Sequence, residues 1–211
     1  MPEPITTVIS TAGLGSRLGL DVPKGLVEVG GTPILARQLA ALPDGGDVVV
    51  VVGHRSDLVV ELLRGLGSGA RIVHNPDYAT TGTAASVALG AADSTGWVLA
   101  LDGDVLVREG DLRTLTAHSG ACLAVTPAHT AAPVCARLAP DGAVLGLSQE
   151  HATPWEWPGL ARIPADVARG LGTGHIYRGL GGALPMPSLP VDCVEIDDRD
   201  DLLRAEAWVA A

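Results

Sequence analysis

The sequence predicts an α/β protein of one domain, built on a mostly parallel sheet flanked by helices. Through the first half, apolar runs of strand length alternate with longer segments of helical periodicity, the pattern of parallel strands joined by crossover helices. A chain of 211 residues with 47% hydrophobic content can bury a sizeable core, yet is short enough for a single domain. With no Phe, two Tyr and four Trp, that core must be made of Val, Leu, Ile and Ala, as in a sheet covered by helices. The expected arrangement is therefore Rossmann-like.

Strands are predicted at Thr6 to Ser10, Asp47 to Val52, Arg71 to His74 and Trp97 to Leu101, all rich in β-branched or aliphatic residues. These form the expected centre of the sheet. Between them, Ile34 to Leu42, Leu58 to Leu66, Ala84 to Ala92 and Asp111 to His118 carry apolar residues at three- and four-residue spacing and read as crossover helices. After residue 120 the pattern changes to shorter strands, at Cys122 to Thr126, Val134 to Leu138 and Val144 to Gln149, followed by a Pro/Trp/Gly-rich stretch from Thr153 to Gly159. A helix near Ala165 to Leu171, a loop with Pro185, Pro187 and Pro190, a strand at Val191 to Ile196 and a helix from Asp198 to Val209 complete the chain. The last helix carries acidic residues in its first turn, which suits its dipole. The expected organisation is a nucleotide-binding half at 1–120 and an acceptor-binding half, a small lid over the sheet, at 121–211.

With 24 acidic against 14 basic residues the net charge is -10, which repels nucleic-acid backbones and anionic membranes, and no local basic patch offsets it. No apolar run is long enough to span a bilayer, and Met1-Pro2-Glu3-Pro4 lacks the features of a signal peptide, so a cytoplasmic protein is expected. Cys122, Cys135 and Cys193 have neither disulfide-framework nor zinc-site spacing and read as core residues. Lysine occurs once, at Lys24, among the 14 basic residues. A lone lysine kept against a general preference for arginine draws attention to its neighbours.

Those neighbours follow the first strand: Ser10-Thr11-Ala12-Gly13-Leu14-Gly15-Ser16-Arg17 forms a turn whose glycines let backbone N–H groups approach an anion. Taken alone, the glycines read equally well as an ordinary βα turn. Arg17, with its fork of donors, and Lys24, after Pro23 on the same loop, make a phosphate cradle the better reading, and two cations suit a triphosphate. The segment is neither a P-loop nor a dinucleotide fingerprint.

Asp102 and Asp104 stand at the end of the fourth predicted strand, where open parallel sheets place their ligand crevice. They could hold magnesium, or simply cap a turn. Asp197, between the last strand and last helix, could complete a metal site, while Asp198 and Asp200 read as the capping residues of that helix. Asn75 to Ser86 opens a helix with donors and acceptors able to read a base edge, or to cap the helix start. Trp155, Glu156 and Trp157, with Tyr177, stand out in a chain almost empty of aromatics: rings paired with a carboxylate can hold an ammonium by cation–π contact, or can plug a core. His175 reads as a loop or core residue rather than a base.

Three segments, Ala12-Gly13-Leu14-Gly15-Ser16-Arg17-Leu18, Pro23-Lys24-Gly25-Leu26 and Gly31-Thr32-Pro33-Ile34-Leu35, closely resemble in order and spacing the signature of the sugar-phosphate and alcohol-phosphate nucleotidyltransferases. Thr11 stands where that superfamily usually has a second alanine, a small change that should leave the backbone cradle intact. The ending Glu195-Ile196-Asp197 with Asp201-Leu202 resembles the choline-phosphate cytidylyltransferase branch, as does the start Asn75-Pro76-Asp77-Tyr78. The resemblance implies that Asp104, supported by Asp102, and Asp197 bind magnesium, and that Gly82, Thr83 and Ser86 lie by the pyrimidine. It implies that Ala12, Gly13, Gly15 and Ser16 cradle the nucleotide and that Arg17 and Lys24 serve catalysis.

The implied reaction is attack by an acceptor phosphate or phosphonate oxygen on the α-phosphorus of a nucleoside triphosphate, with pyrophosphate leaving. The acceptor is already an anion, so catalysis rests on positioning and charge neutralisation rather than on a strong base. Compact length and the Glu-Ile-Asp ending favour CTP with a phospho-alcohol or phosphonate. The short spacing from Arg17 to Pro23-Lys24 is closer to hexosamine-phosphate uridylyltransferases, so a sugar-1-phosphate with UTP or dTTP is the alternative. A non-catalytic nucleotide-binding module is a third, from another class, against which the full set of Arg17, Lys24, Asp104 and Asp197 argues. A homodimer stays open.

Overall fold

The computed structural model describes residues 3–13 and 22–211. The chain runs β1 (Ile5–Ser10), a 3-10 turn at Lys24–Leu26, a small hairpin of β2 (Glu28–Val29) and β3 (Thr32–Pro33), α1 (Ile34–Ala41), β4 (Asp47–Val52), α2 (Ser56–Gly65), β5 (Arg71–His74), α3 (Thr83–Gly90) and β6 (Trp97–Asp102). It continues with β7 (Val105–Val107), α4 (Glu109–Ala117), β8 (Cys122–Pro127), β9 (Cys135–Leu138), β10 (Val144–Ser148), β11 (Trp155–Glu156) and β12 (Leu160–Pro164). Helices α5 (Ala165–Arg169) and α6 (Ile176–Gly179), strands β13 (Ser188–Pro190) and β14 (Cys193–Glu195), and α7 (Arg199–Ala210) follow.

The four strands predicted for the centre lie there, parallel, in the order β6-β1-β4-β5. Side chains alternate across a strand, so each strand supplies two cores. Val8, Val49, Val51, Val98 and Ala100 face α3 on one side, where Ala84 and Val87 meet them. Ile9, Val50, Val52, Leu99 and Leu101 face the other side, packed with Leu35 of α1, Val59 and Leu63 of α2, and Leu112 and Leu115 of α4. Burial on both faces explains the uninterrupted valine run of β4, since a strand with a wet face would alternate with polar residues.

Beyond residue 120 the sheet continues rather than ending. β12 pairs antiparallel with β6 and with β8, and β11, β9 and β10 extend the antiparallel part outward. Strands β8 to β12 are thus an edge of the same sheet, with α5 and α6 packed against its core. β12 carries a buried Arg162, whose guanidinium lies 4.1 Å from the centroid of the Trp97 ring and donates to the Gly120 carbonyl at 2.6 Å. A third core, with Val29, Ile34, Leu106, Val194, Ile196 and Ala205, fastens α7 and β14 to the start of the chain. No helix among the described residues is long and apolar enough to cross a membrane.

Candidate active site

Three carboxylates from two distant segments meet at the carboxyl end of the parallel strands. Asp104 follows β6, where the parallel strands point their ends at the crevice. Gln38 of α1, almost fully buried, donates to the carbonyls of Asp102 and Val105, both at 2.8 Å, and so clamps this turn from below. β14 pairs antiparallel with β7, with Glu195 opposite Val105, and Ile196 N–H donates to the Asp104 carbonyl at 2.9 Å. That pairing brings Glu195 and Asp197 beside Asp104, and one oxygen of each lies within 4.8 Å of the others. Asp201 of α7 steadies the approach: its Oδ2 accepts from Asp197 N–H at 2.9 Å and Asp198 N–H at 3.0 Å. Asp198 caps the helix in return, as its sequence position predicts, by accepting from the Asp200 and Asp201 N–H groups.

Lys24 enters this cluster from the 3-10 turn, its Nζ 2.8 Å from Asp104 Oδ2 and ion-paired with Asp197 as well. Burial alone would lower its pKa, but the charge and hydrogen bond of Asp104, joined by those of Asp197, outweigh it and hold the lysine above its ordinary value. Glu195 is pushed up to about 8, first by burial and then by the charges of Asp104 and Asp197, with Lys24 opposing. Asp102 is raised well above the usual carboxylate range, again first by burial and then by Asp104 and Glu195. Its Oδ1 is buried without a hydrogen-bond partner. Gly159, at φ +83°, lies against it so closely that a Cβ there would come 2.6 Å from Asp102 Oδ2.

Three cavities join along this crevice. The first is lined by Ala12, Gly13, Asn75, Gly82, Thr83 and Ser86 among others. The second, between them and the carboxylates, is lined by Gly13, Lys24, Thr83, Asp102 and Asp104. The third runs from Lys24, Asp104, Glu195 and Asp197 toward Thr130, Glu156 and Tyr177. Thr83, at the start of α3, borders all three. Ala12, Gly13, Gly82, Thr83, Ser86 and Asp102 therefore share one crevice with Lys24, Asp104 and Asp197. Gly15, Ser16 and Arg17 lie outside the described residues.

Local contacts refine these positions. Ser86 is buried, and its hydroxyl accepts from Asn75 Nδ2 at 3.2 Å, so the first cavity is lined by a fixed polar network. Gly82 is packed on the 173–174 backbone, where a Cβ would come 2.3 Å from the Gly174 carbonyl oxygen. At the far end, Glu156 and Tyr177 line the third cavity together with Trp157. Trp155 stands outside that lining and packs, partly buried, on the core. His175, exposed, forms the N-cap of α6 and borders the crevice.

Sequence reasoning quoted Glu195 but gave it no role, and passed over Gln38 and Gly159. Glu195 stood near the end of the predicted strand, two residues before Asp197, and that proximity was the available signal. Gln38 sits inside an amphipathic helix pattern, and nothing in the pattern marks it. Carboxylate oxygens are hard donors of the kind magnesium takes.

Residues 7–157 match the family of MobA-like NTP transferase domains. Among curated proteins, the chain is 39% identical over 148 residues to the CMP-5'-(3-aminopropyl)phosphonate synthase of Streptomyces rubellomurinus, covering 66% of this chain and 24% of that protein. It is 38% identical over 120 residues to the bifunctional protein GlmU of Clavibacter sepedonicus, covering 54% of this chain and 24% of that one. The chain thus spans about a quarter of the length of these relatives. Among solved structures, the CTP:phosphocholine cytidylyltransferase of Streptococcus pneumoniae superposes with a TM-score of 0.78 at 18% identity, over 98% of this chain and 99% of that one. The inositol-1-phosphate CTP transferase of T. maritima superposes at 0.79 with 18% identity, over 96% and 94%. These two share the fold.

Proposed function

This chain belongs to the family of MobA-like NTP transferase domains, and from that premise we propose that it transfers CMP from CTP to a small phosphorylated alcohol or phosphonate, releasing pyrophosphate. The observation that carries the reading is the junction itself: Lys24 and Asp104 line both the second and the third cavity, with Glu195 and Asp197 beside them in the third. A group-transfer enzyme needs its charge-neutralising residues at the point where two anionic substrates touch. The names of the aminopropylphosphonate relative and of the two cytidylyltransferase neighbours support CTP as donor.

In the proposed reaction an acceptor oxygen forms a bond to the α-phosphorus while the bond to the β-phosphate oxygen breaks, and no proton need move. Asp104, Glu195 and Asp197 would hold magnesium, which when bound supplies the positive charge that lets two anions approach. Lys24 adds a fixed cation at the same junction and a donor for a phosphate oxygen. Thr83, at the first turn of α3, borders both cavities, and its backbone N–H would serve as a donor to a phosphate there. Gln38 and Asp201 keep the two carboxylate segments in register, so that the cluster is formed before substrates arrive.

A second reading, UMP or dTMP transfer to a sugar-1-phosphate, draws support from the identity with GlmU. One assay separates the two: pyrophosphate release in magnesium with CTP, UTP, dTTP, GTP and ATP, each against phosphoethanolamine, phosphocholine, aminoalkylphosphonates and sugar-1-phosphates. Release confined to CTP with a phospho-alcohol or phosphonate is the expected result. Release only with UTP or dTTP and a sugar phosphate would replace the first reading by the second.

A further inference from the structure

We infer that the acceptor is a zwitterion with a primary ammonium at the end remote from its phosphorus, and that Glu156 is the residue that selects it. The inference rests on the proposed transfer to a small phosphorylated acceptor, and concerns which acceptor chemistry that site takes.

The third cavity is electrically polar along its length. One end holds Lys24 and the carboxylate cluster, the place proposed for the acceptor's phosphorus; the lining further out includes Glu156. Glu156 is 2% exposed. Its Oε2 accepts from the Thr130 hydroxyl at 2.8 Å and from the Thr130 N–H at 3.3 Å. Its Oε1 is buried and makes no hydrogen bond. His129 Nδ1 lies 3.0 Å from Oε1, but the same nitrogen is 2.8 Å from the Pro127 carbonyl oxygen. Only the contact with the carbonyl has hydrogen-bond geometry, so the neutral ring leaves Oε1 without a hydrogen bond and a protonated ring meets it by charge alone.

A buried carboxylate oxygen without a donor is costly, and a ligand that brings a donor removes the cost. A primary ammonium brings three N–H donors and a positive charge. A sugar hydroxyl brings a donor without the charge. A quaternary ammonium brings charge without a donor, and proteins hold such groups by surrounding them with open aromatic faces. This cavity offers few. The Tyr177 ring is stacked on His175, with centroids 5.8 Å apart and planes 20° from parallel, and the Arg178 guanidinium carbon lies 5.6 Å from its centroid. Trp157 is buried and its indole N–H is given to the Leu160 carbonyl at 2.8 Å. Trp155 is not in the lining. Hydrogen bonding to Glu156, not an aromatic cage, is what the site is built to offer.

The experiment compares matched acceptors on the unaltered chain with magnesium and CTP: phosphoethanolamine against phosphocholine, and 3-aminopropylphosphonate against propylphosphonate. Sites built around a hydrogen bond reject analogues that lack it, and a preference of about 100-fold or more in kcat/KM for each primary amine is expected. Glu156→Gln keeps the shape and removes the charge, and is expected to shrink that preference to about tenfold or less, through a higher KM for the amines. The acceptor series on the unaltered protein decides the question even where the variant fails to fold. Equal or better use of phosphocholine, or a preference that survives Glu156→Gln in folded protein, would overturn the assignment. If no nucleotide and acceptor pair turns over, the transfer reading fails on its own; calorimetric titration of 3-aminopropylphosphonate and phosphocholine in magnesium still tests Glu156, which is upheld by tighter binding of the primary amine that Glu156→Gln abolishes and refuted by equal binding.

Discussion

Lys24 Nζ lies 2.8 Å from Asp104 Oδ2 and contacts Asp197 too, so the chain's one lysine neutralises two of the three carboxylates proposed to bind a metal ion. Lysine and metal therefore compete for the same oxygens. We predict that Lys24→Met binds Mn2+ about tenfold more tightly, a gain of about 1.4 kcal/mol, while pyrophosphate release falls about 100-fold or more. Paramagnetic titration read beside a turnover assay tests both halves. Weaker metal binding in the variant would show that the lysine supports the metal instead of opposing it.

Asp104→Asn and Asp197→Asn are expected to lose at least 100-fold in turnover, and chelation with EDTA to abolish it in the unaltered protein until magnesium is returned. Full activity in EDTA would remove the metal from the reaction.

Gly159 stands at φ +83° with its α-carbon against Asp102. An alanine there must adopt a disfavoured backbone conformation and push on the Asp102 carboxyl, so Gly159→Ala is expected to cost about 1–3 kcal/mol in urea unfolding and to lower turnover as well. A fully active and stable variant would mean that the 158–160 backbone moves aside freely.

Asp201→Ala removes the acceptor for the Asp197 and Asp198 N–H groups and the partner of Arg204. A loss of about 1 kcal/mol is expected from the broken capping box, together with weaker Mn2+ binding, because Asp197 loses its anchor. A stability loss without any change in metal affinity would make Asp201 a helix cap and nothing more.

Burial pushes the Cys122 thiol up to about 11, with the Arg162 charge opposing. A group whose folded pKa lies above its unfolded value keeps the proton on folding, so its contribution is complete below the unfolded thiol range near 8.5 and is lost as pH rises toward about 11. The unfolding free energy should fall by up to about 1.4 kcal/mol per pH unit in that window on account of this thiol. Cys122→Ala should flatten the slope, and an unchanged slope would assign it to other groups.

Much of the fold was legible because the strongest signals were local. The bounds expected for the second strand, Asp47 to Val52, are those found, since five consecutive valines leave no other reading. β12 was missed because Arg162 and Pro164 interrupt its apolar run; that the arginine is buried depends on Trp97 and Gly120, which the sequence places far away. The strands after residue 120 were expected as a lid above the sheet, and β8 to β12 are found as its antiparallel edge. In the crevice, the residue types at Lys24, Asp104 and Asp197 suggested a shared site, whereas the contact between the lysine and both aspartates belongs to the tertiary structure. Trp155 and Trp157 show the limit of composition: tryptophans at i and i+2 are expected on one face of an extended segment, yet the strand ends at Glu156 and only Trp157 lines the cavity.

The pairing of β14 with β7 carries a kinetic consequence. Lys24 comes from the beginning of the chain, Asp104 from its middle, and Glu195 and Asp197 from near its end, and the strand that delivers the last two stands outside the large sheet. Contacts between such distant segments bear the largest loop-closure cost and form late in folding. If the cluster holds the proposed cation, its binding would become a chemical clock for the last docking event: a refolding chain could complete its valine-rich sheet and still be blind to metal until its final strand has found its place.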